Sequence, residues 1–180
     1  MTVSGELSTV VADRVRDVPD YPKPGVLFKD ITPLLADAEA FRTVVDGFAS
    51  AYADLRVDKV VGVEARGFIL AAPVAYRCGA GFVPVRKEGK LPAPAYSASY
   101  ALEYGTATVE VHRDGIAPGD RVLVLDDVLA TGGTAAATAE LVNRCGGTIV
   151  ATAFLVELSF LHGRDRIAAL EPWSLLTVSA

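Results

Sequence analysis

Val122-Leu-Val-Leu-Asp-Asp-Val-Leu-Ala-Thr-Gly-Gly-Thr134 is the stretch on which the fold turns. Four apolar residues, Val122 to Leu125, lead directly into the adjacent carboxylates Asp126 and Asp127, and then into a small, hydroxyl-bearing turn. A short apolar run of this kind suits a strand buried on both faces. The residues after it, 134–144, read as a helix. Gly132 and Gly133 open backbone conformations closed to other residues. The N–H groups of the first helical turn then converge where the helix dipole favours an anion. An acidic pair and a group of free N–H donors are thus expected side by side at a strand end. A sugar phosphate suits both, because its hydroxyls donate to carboxylates while its phosphate accepts from N–H groups.

The turn Ala130-Thr-Gly-Gly-Thr134 lacks the Gly-Lys-Ser/Thr of a nucleoside-triphosphate loop and the Gly-x-Gly-x-x-Gly of a dinucleotide fingerprint. Taken alone it reads equally well as a helix cap, with Thr131 or Thr134 capping and the glycines making a tight turn. The acidic pair shifts that balance. Neighbouring carboxylates at the end of an apolar strand repel each other and must be solvated, paired or ligated. Beside a phosphate-type turn, ribose hydroxyls or a hydrated Mg²⁺ are the better partners.

Outward from this run, strand-like and helix-like segments alternate over residues 57–157: strands at 57–63, 81–85, 107–112, 121–125 and 148–157, helices at 67–78 and 134–144. Near-continuous Val, Ile and Leu strands joined by helices imply an α/β fold with a mostly parallel sheet covered on both faces. Before it, apolar spacings of three and four predict a helix over 7–16 and another over 37–55. Between them, Val18-Pro-Asp-Tyr-Pro-Lys-Pro-Gly25 should run over the surface as an extended connection. Residues 86–103, rich in Pro, Ser and Tyr, read as irregular, and Trp173 as packing in the tail. Ligands of such sheets bind outside the carboxyl ends of the strands, which singles out the loops at 64–67, 86–104 and 126–134.

At 180 residues the chain suits one domain with a full core. Its net charge of −5 gives no general attraction to nucleic acid. Cys78 and Cys145 stand far apart with no metal-binding spacing, so neither a disulfide framework nor a zinc site is expected. The N-terminus has no basic segment followed by an apolar core, and the longest apolar stretch, 68–76, is too short to span a bilayer. A soluble cytoplasmic domain without membrane contact is expected.

The run at 122–134 resembles the phosphoribosyl pyrophosphate (PRPP) motif of the type I phosphoribosyltransferases. Further segments narrow the resemblance to the adenine phosphoribosyltransferases: Tyr21-Pro-Lys-Pro-Gly-Val-Leu-Phe-Lys-Asp-Ile-Thr32, Glu64-Ala-Arg-Gly-Phe68, Arg86-Lys-Glu-Gly-Lys-Leu-Pro92, Leu102-Glu-Tyr-Gly105 and Leu155-Val-Glu-Leu-Ser159. Together they tile most of residues 19–160.

The resemblance implies a type I phosphoribosyltransferase fold: a mostly parallel twisted sheet flanked by helices, with a small N-terminal hood. It also implies one domain over residues 1–180, with the hood at about 1–35 and a flexible flap at 86–105. The implied reaction is adenine plus PRPP, with Mg²⁺, giving AMP and diphosphate in purine salvage, carried out by a homodimer. Roles follow by position. Ala130, Thr131, Gly132, Gly133 and Thr134 would hold the 5′-phosphate, and Asp126 and Asp127 the ribose and its associated Mg²⁺. Glu64, Ala65, Arg66 and Lys87 would meet the diphosphate, with a cis peptide between Glu64 and Ala65. Leu27, Phe28 and Lys29 would bind adenine, Phe28 by stacking and its neighbours through their backbone. Glu103 would face adenine N7 and manage the proton as N9 attacks C1. Mg²⁺ would arrive on PRPP oxygens and keep waters, so no protein cage is expected. From the residues alone, a PRPP- or nucleotide-binding regulator without catalysis stays open, as does activity on other purines. The basic flap and Glu103 favour the enzyme.

Overall fold

The structure, a computed structural model, describes residues 5–101 and 105–179. Helix α1 (Gly5–Ala12) leads into an antiparallel pair, β1 (Arg16–Pro19) with β2 (Leu27–Asp30). The sequence expectation carried the helix to residue 16, and the structure ends it at Ala12. Cross-strand charges decide this: Arg16 lies opposite Asp30 and Asp17 opposite Lys29, each pair joined at 2.5 Å. Both bonds exist only in the strand register. This small two-stranded sheet lies in the segment expected to form the hood.

After the short α2 (Thr32–Ala36), α3 (Ala38–Ala51) begins at Asp37, whose carboxylate accepts the N–H groups of Glu39 and Ala40 at 3.0 Å. Its face of Ala40, Val44, Val45 and Phe48 is buried. The expectation of one helix over 37–55 is met except that the last residues, Ala53–Leu55, form a 3₁₀ turn.

The remaining elements are β3 (Lys59–Val63), α4 (Arg66–Cys78), β4 (Gly81–Lys87), β5 (Ala95–Ala101), β6 (Thr106–His112), β7 (Arg121–Leu129), α5 (Gly133–Arg144), β8 (Thr148–Leu158), α6 (Gly163–Arg166) and β9 (Trp173–Val178). Among the described residues the main sheet has seven strands in the order β5-β6-β4-β3-β7-β8-β9. Strands β4, β3, β7, β8 and β9 run parallel, while β5 and β6 add an antiparallel edge. Successive residues of β7 feed opposite faces. Leu123 and Leu125 join Phe48, Leu70 and Val74 on the side of α3 and α4. Val122 and Val124 join Leu141 and Val142 of α5 on the other.

Two further expectations are corrected, and one strand was not foreseen. Strand β7 continues through Leu129, not Leu125, because its pairing with β8 persists to Leu129 opposite Glu157. Asp126 and Asp127 therefore sit within a strand, not in a loop after it. Residues 86–103 were expected to be irregular, yet β4 reaches Lys87 and residues 95–101 pair with β6. Alternating Tyr96, Ala98 and Tyr100 against α5 supplies the driving face, which the intervening Ser97 and Ser99 mask in the sequence. Strand β9 was missed. Its Trp173 meets Phe48 and Tyr52 edge-on at 5.7 Å, in the packing role expected of it.

Candidate active site

The turn at 130–134 lies between β7 and α5, at the carboxyl end of a central strand. Gly132 adopts φ +75°, a left-handed conformation that suits glycine, and no side chain caps the helix it precedes. Neither Thr131 nor Thr134 is spent as a cap. Among the described residues no acceptor takes the N–H groups of Gly133, Thr134 or Ala135. Buried helix-start donors need a partner, and an anion is the partner this end of α5 attracts.

Immediately upstream, Asp127 is 6% exposed and Asp126 half-buried. The Asp127 N–H donates to Asp126 Oδ1 at 2.9 Å. Arg66 Nε stands 2.8 Å from Asp127 Oδ2, yet that oxygen receives no aligned hydrogen bond. The contact is one of charges, and it leaves a buried carboxylate oxygen with hydrogen-bonding capacity to spare. Burial, and then repulsion from Asp127, push the Asp126 carboxyl well above the ordinary carboxylate range. Burial raises Asp127 as well, with Arg66 pulling the other way. Gly67 is needed here for space: a Cβ on it would lie 2.6 Å from Asp126 Oδ1.

Arg66 begins α4, directly after the Glu64–Ala65 peptide, which is cis as the resemblance implied. Its guanidinium also lies over the Phe28 ring, 4.9 Å from the centroid. One side chain therefore joins the acidic strand end to the hood. Tyr21 meets Phe28 edge-on at 5.1 Å, Leu27 is exposed, and the Lys29 side chain is engaged by Asp17. The Lys29 ammonium is thus spent within the two-stranded sheet.

On the other flank, Glu64 Oε2 accepts the Lys87 N–H at 3.0 Å and Arg86 Nε at 3.2 Å. The Lys87 N–H first, and Arg86 after it, hold the Glu64 carboxyl below its usual range. Glu64 thus ties the loop after β3 to the end of β4, where the exposed Lys87 side chain stands. Glu103 lies outside the described residues.

Reading the sequence missed what backs the turn. Helix α6 presses its backbone onto it, so closely that a Cβ on Gly163 would lie 2.1 Å from the Ala130 carbonyl oxygen. A fork from Arg164 to Glu157 holds α6 there: Nε donates to Oε1 at 2.8 Å and Nη2 to Oε2. Ser174 Oγ adds a third bond to Glu157 at 2.9 Å, and Arg164 Nη1 reaches the Pro172 carbonyl at 2.5 Å. A glutamate inside the apolar run of β8 was the available signal, since a buried carboxylate demands a cation. Tyr100 of β5 touches the turn from the other side; a Cβ on Gly133 would lie 2.8 Å from its Cδ2.

A mostly parallel α/β sheet with unfilled N–H donors and an incompletely bonded acidic pair at one strand end defines a sugar-phosphate-binding protein of the phosphoribosyltransferase class. A family profile described as the phosphoribosyl transferase domain matches residues 35–174. A protein of Acidothermus cellulolyticus named adenine phosphoribosyltransferase is 60% identical over 173 residues, covering 96% of this chain and 98% of that one. The crystal structure of adenine phosphoribosyltransferase from Rhodothermus marinus superposes with a TM-score of 0.92 at 48% identity, over 97% of this chain and 100% of that one. The Saccharomyces cerevisiae enzyme, crystallised with an imino-altritol bisphosphate and adenine, gives 0.87 at 35% identity, over 91% and 95%. The chain belongs to the adenine phosphoribosyltransferase family.

Proposed function

We propose that this protein transfers the 5-phosphoribosyl group of PRPP to N9 of adenine, giving AMP and diphosphate in purine salvage. The observation that carries the reading is the pairing of unfilled N–H donors at Gly133–Ala135 with the buried, under-bonded Asp127 carboxylate beside them. A 5′-phosphate fits the first and ribose hydroxyls the second. Family membership and the adenine bound to the yeast relative support adenine as the base.

The chemistry asks for two things. The bond from ribose C1 to the diphosphate oxygen breaks with its electron pair leaving on the diphosphate, and N9 supplies the pair for the new bond. Positive charge develops on the sugar and negative charge on the leaving group, which donors must meet with water excluded. Arg66 and the N–H groups about Glu64–Ala65 would meet the diphosphate together with Lys87. As PRPP enters, its hydroxyls take over the Asp127 oxygen that Arg66 now faces, and the guanidinium is free to turn toward the leaving group. Phe28 would lie against the base, and Glu103 would take the proton that adenine loses.

Among the described residues no three His, Cys, Asp or Glu side chains converge to cage a metal. The donor set is a single carboxylate pair, Asp126 and Asp127, which fits a Mg²⁺ shared with substrate oxygens and water. Bound there, Mg²⁺ would neutralise charge on PRPP. We further read the hood (about 1–35) and the flap (86–105) as parts of one domain that closes over the substrates, in a cytoplasmic homodimer. Among the described residues no helix is long and apolar enough to cross a membrane.

The test is incubation with PRPP, Mg²⁺ and each purine in turn. AMP formed with adenine, and no nucleotide with hypoxanthine, guanine or xanthine, is the expected result; no turnover with any base would overturn the reading. Glu103→Gln should lower kcat by roughly a hundredfold with the KM for PRPP little changed. Equal losses in both would remove its proton role.

A further inference from the structure

The phosphate turn carries no cation of its own: Ala130-Thr-Gly-Gly-Thr134 offers only N–H and hydroxyl donors to a ligand that is a dianion. Three arginines nearby are engaged. Arg66 faces Asp127, Arg86 bonds Glu64 and the Lys90 carbonyl, and Arg164 is forked onto Glu157. Arg166 differs. It is exposed, and among the described residues it makes no ion pair or hydrogen bond. Yet it stands over the turn: a Cβ on Gly132 would lie 3.3 Å from Arg166 Cβ, and one on Gly133 3.5 Å from its Nη1.

Its place is built. Two residues before it, Arg164 is clamped to the buried Glu157. The next residue, Ile167, is buried in a cluster with Leu129, Ala135 and Phe154, the residues that flank the turn in strand, helix and neighbouring strand. The backbone of Arg166 is thus fixed from both sides, its Cβ against Gly132 and its guanidinium against Gly133, the first of the residues with unfilled N–H groups. An arginine fork is well matched to two phosphate oxygens.

We propose that Arg166 is a substrate-binding residue that reaches across from α6 to contact the 5′-phosphate, supplying the positive charge that the turn lacks. The inference rests on the phosphate reading of the turn. It also gives α6 a purpose beyond packing: the Glu157–Arg164 fork acts through Arg166, setting where a substrate-binding cation stands.

The probe is ribose 5-phosphate, titrated calorimetrically into the full-length protein, with steady-state kinetics on PRPP alongside. Arg166→Gln should weaken ribose 5-phosphate by about tenfold and raise the KM for PRPP to match, with kcat and Tm little changed. Arg166→Lys should recover part of the loss, and the salt dependence of binding should flatten in Arg166→Gln. Unchanged ribose 5-phosphate affinity in Arg166→Gln, with wild type binding normally, overturns the proposal and leaves the function standing. A fall in kcat and Tm that Arg166→Lys does not relieve overturns it in favour of a structural role. Failure of wild type to bind ribose 5-phosphate overturns the phosphate reading of the turn, and this proposal with it.

Discussion

Two buried carboxylate sites, one on each of two adjacent strands, behave in opposite ways. Glu157 on β8 is 3% exposed and fully answered, by the Arg164 fork and the Ser174 hydroxyl. The Arg164 hydrogen bonds hold its carboxyl below the ordinary range despite burial. On β7 Asp127 is similarly enclosed and Asp126 half-buried, but the one arginine at the pair makes a single unaligned contact, to Asp127, and both carboxyls are pushed up. The difference separates a charge whose partners are complete within the fold from charges whose partners are not, which we propose a ligand completes. A completed set of partners makes a buried carboxylate structural; an incomplete set costs stability and marks a site whose missing donors come from outside.

Breaking the completed side should have the largest effect. Arg164→Ala leaves Glu157 buried without its cation and should cost about 3 kcal/mol at neutral pH, the low end for a severed buried pair because Arg164 is itself half-exposed. Urea unfolding measures it. Glu157, with its folded pKa depressed, stabilises the wild type above its unfolded pKa, and that contribution disappears as pH falls through the folded value. The gap between variant and wild type should therefore shrink in acid, and a gap independent of pH would deny the ion pair its role.

Next in size, Asp127→Asn should weaken PRPP binding by about a hundredfold, the value of charge-assisted hydrogen bonds, without loss of Tm. Unchanged binding would mean that the acidic pair serves no ligand. The smallest effect sharpens the contrast from the other side. A carboxyl with a raised folded pKa binds more protons folded than unfolded, so it favours folding below its ordinary value near 3.8 and opposes it as pH rises through the folded value. Asp126→Asn should thus stabilise the ligand-free protein by on the order of 1 kcal/mol at pH 7. The gain should vanish near pH 4, and a destabilised Asp126→Asn at neutral pH would mean that the pair is not under electrostatic strain.

Much of this was legible beforehand because it is local. The apolar run of β7, the glycines of the turn and the amphipathic spacing of α3 each act within a few residues, so reading them needs no partner. The acidic pair could be recognised as unusual in the same way. Legibility failed where pairing is remote. Nothing within residues 86–103 says that Tyr96, Ala98 and Tyr100 will face α5 and make β5 a strand. Arg16 and Asp17 extend the chain only because Asp30 and Lys29 lie opposite. The four residues of α6 carry too little local signal to be read at all.

The sequence by itself therefore determined the mostly parallel α/β class, the glycine-bearing turn between β7 and α5 and the family to which they belong, since backbone freedom, hydrophobic period and local charge act along the chain. Only the tertiary structure decided which of the buried carboxylates is satisfied. It alone placed Arg66 between Asp127 and Phe28, and brought Arg166 over Gly132 and Gly133. The physical reason is that a charge is answered by whatever stands within a few ångströms of it, and in a folded chain those neighbours come from residues far apart in sequence.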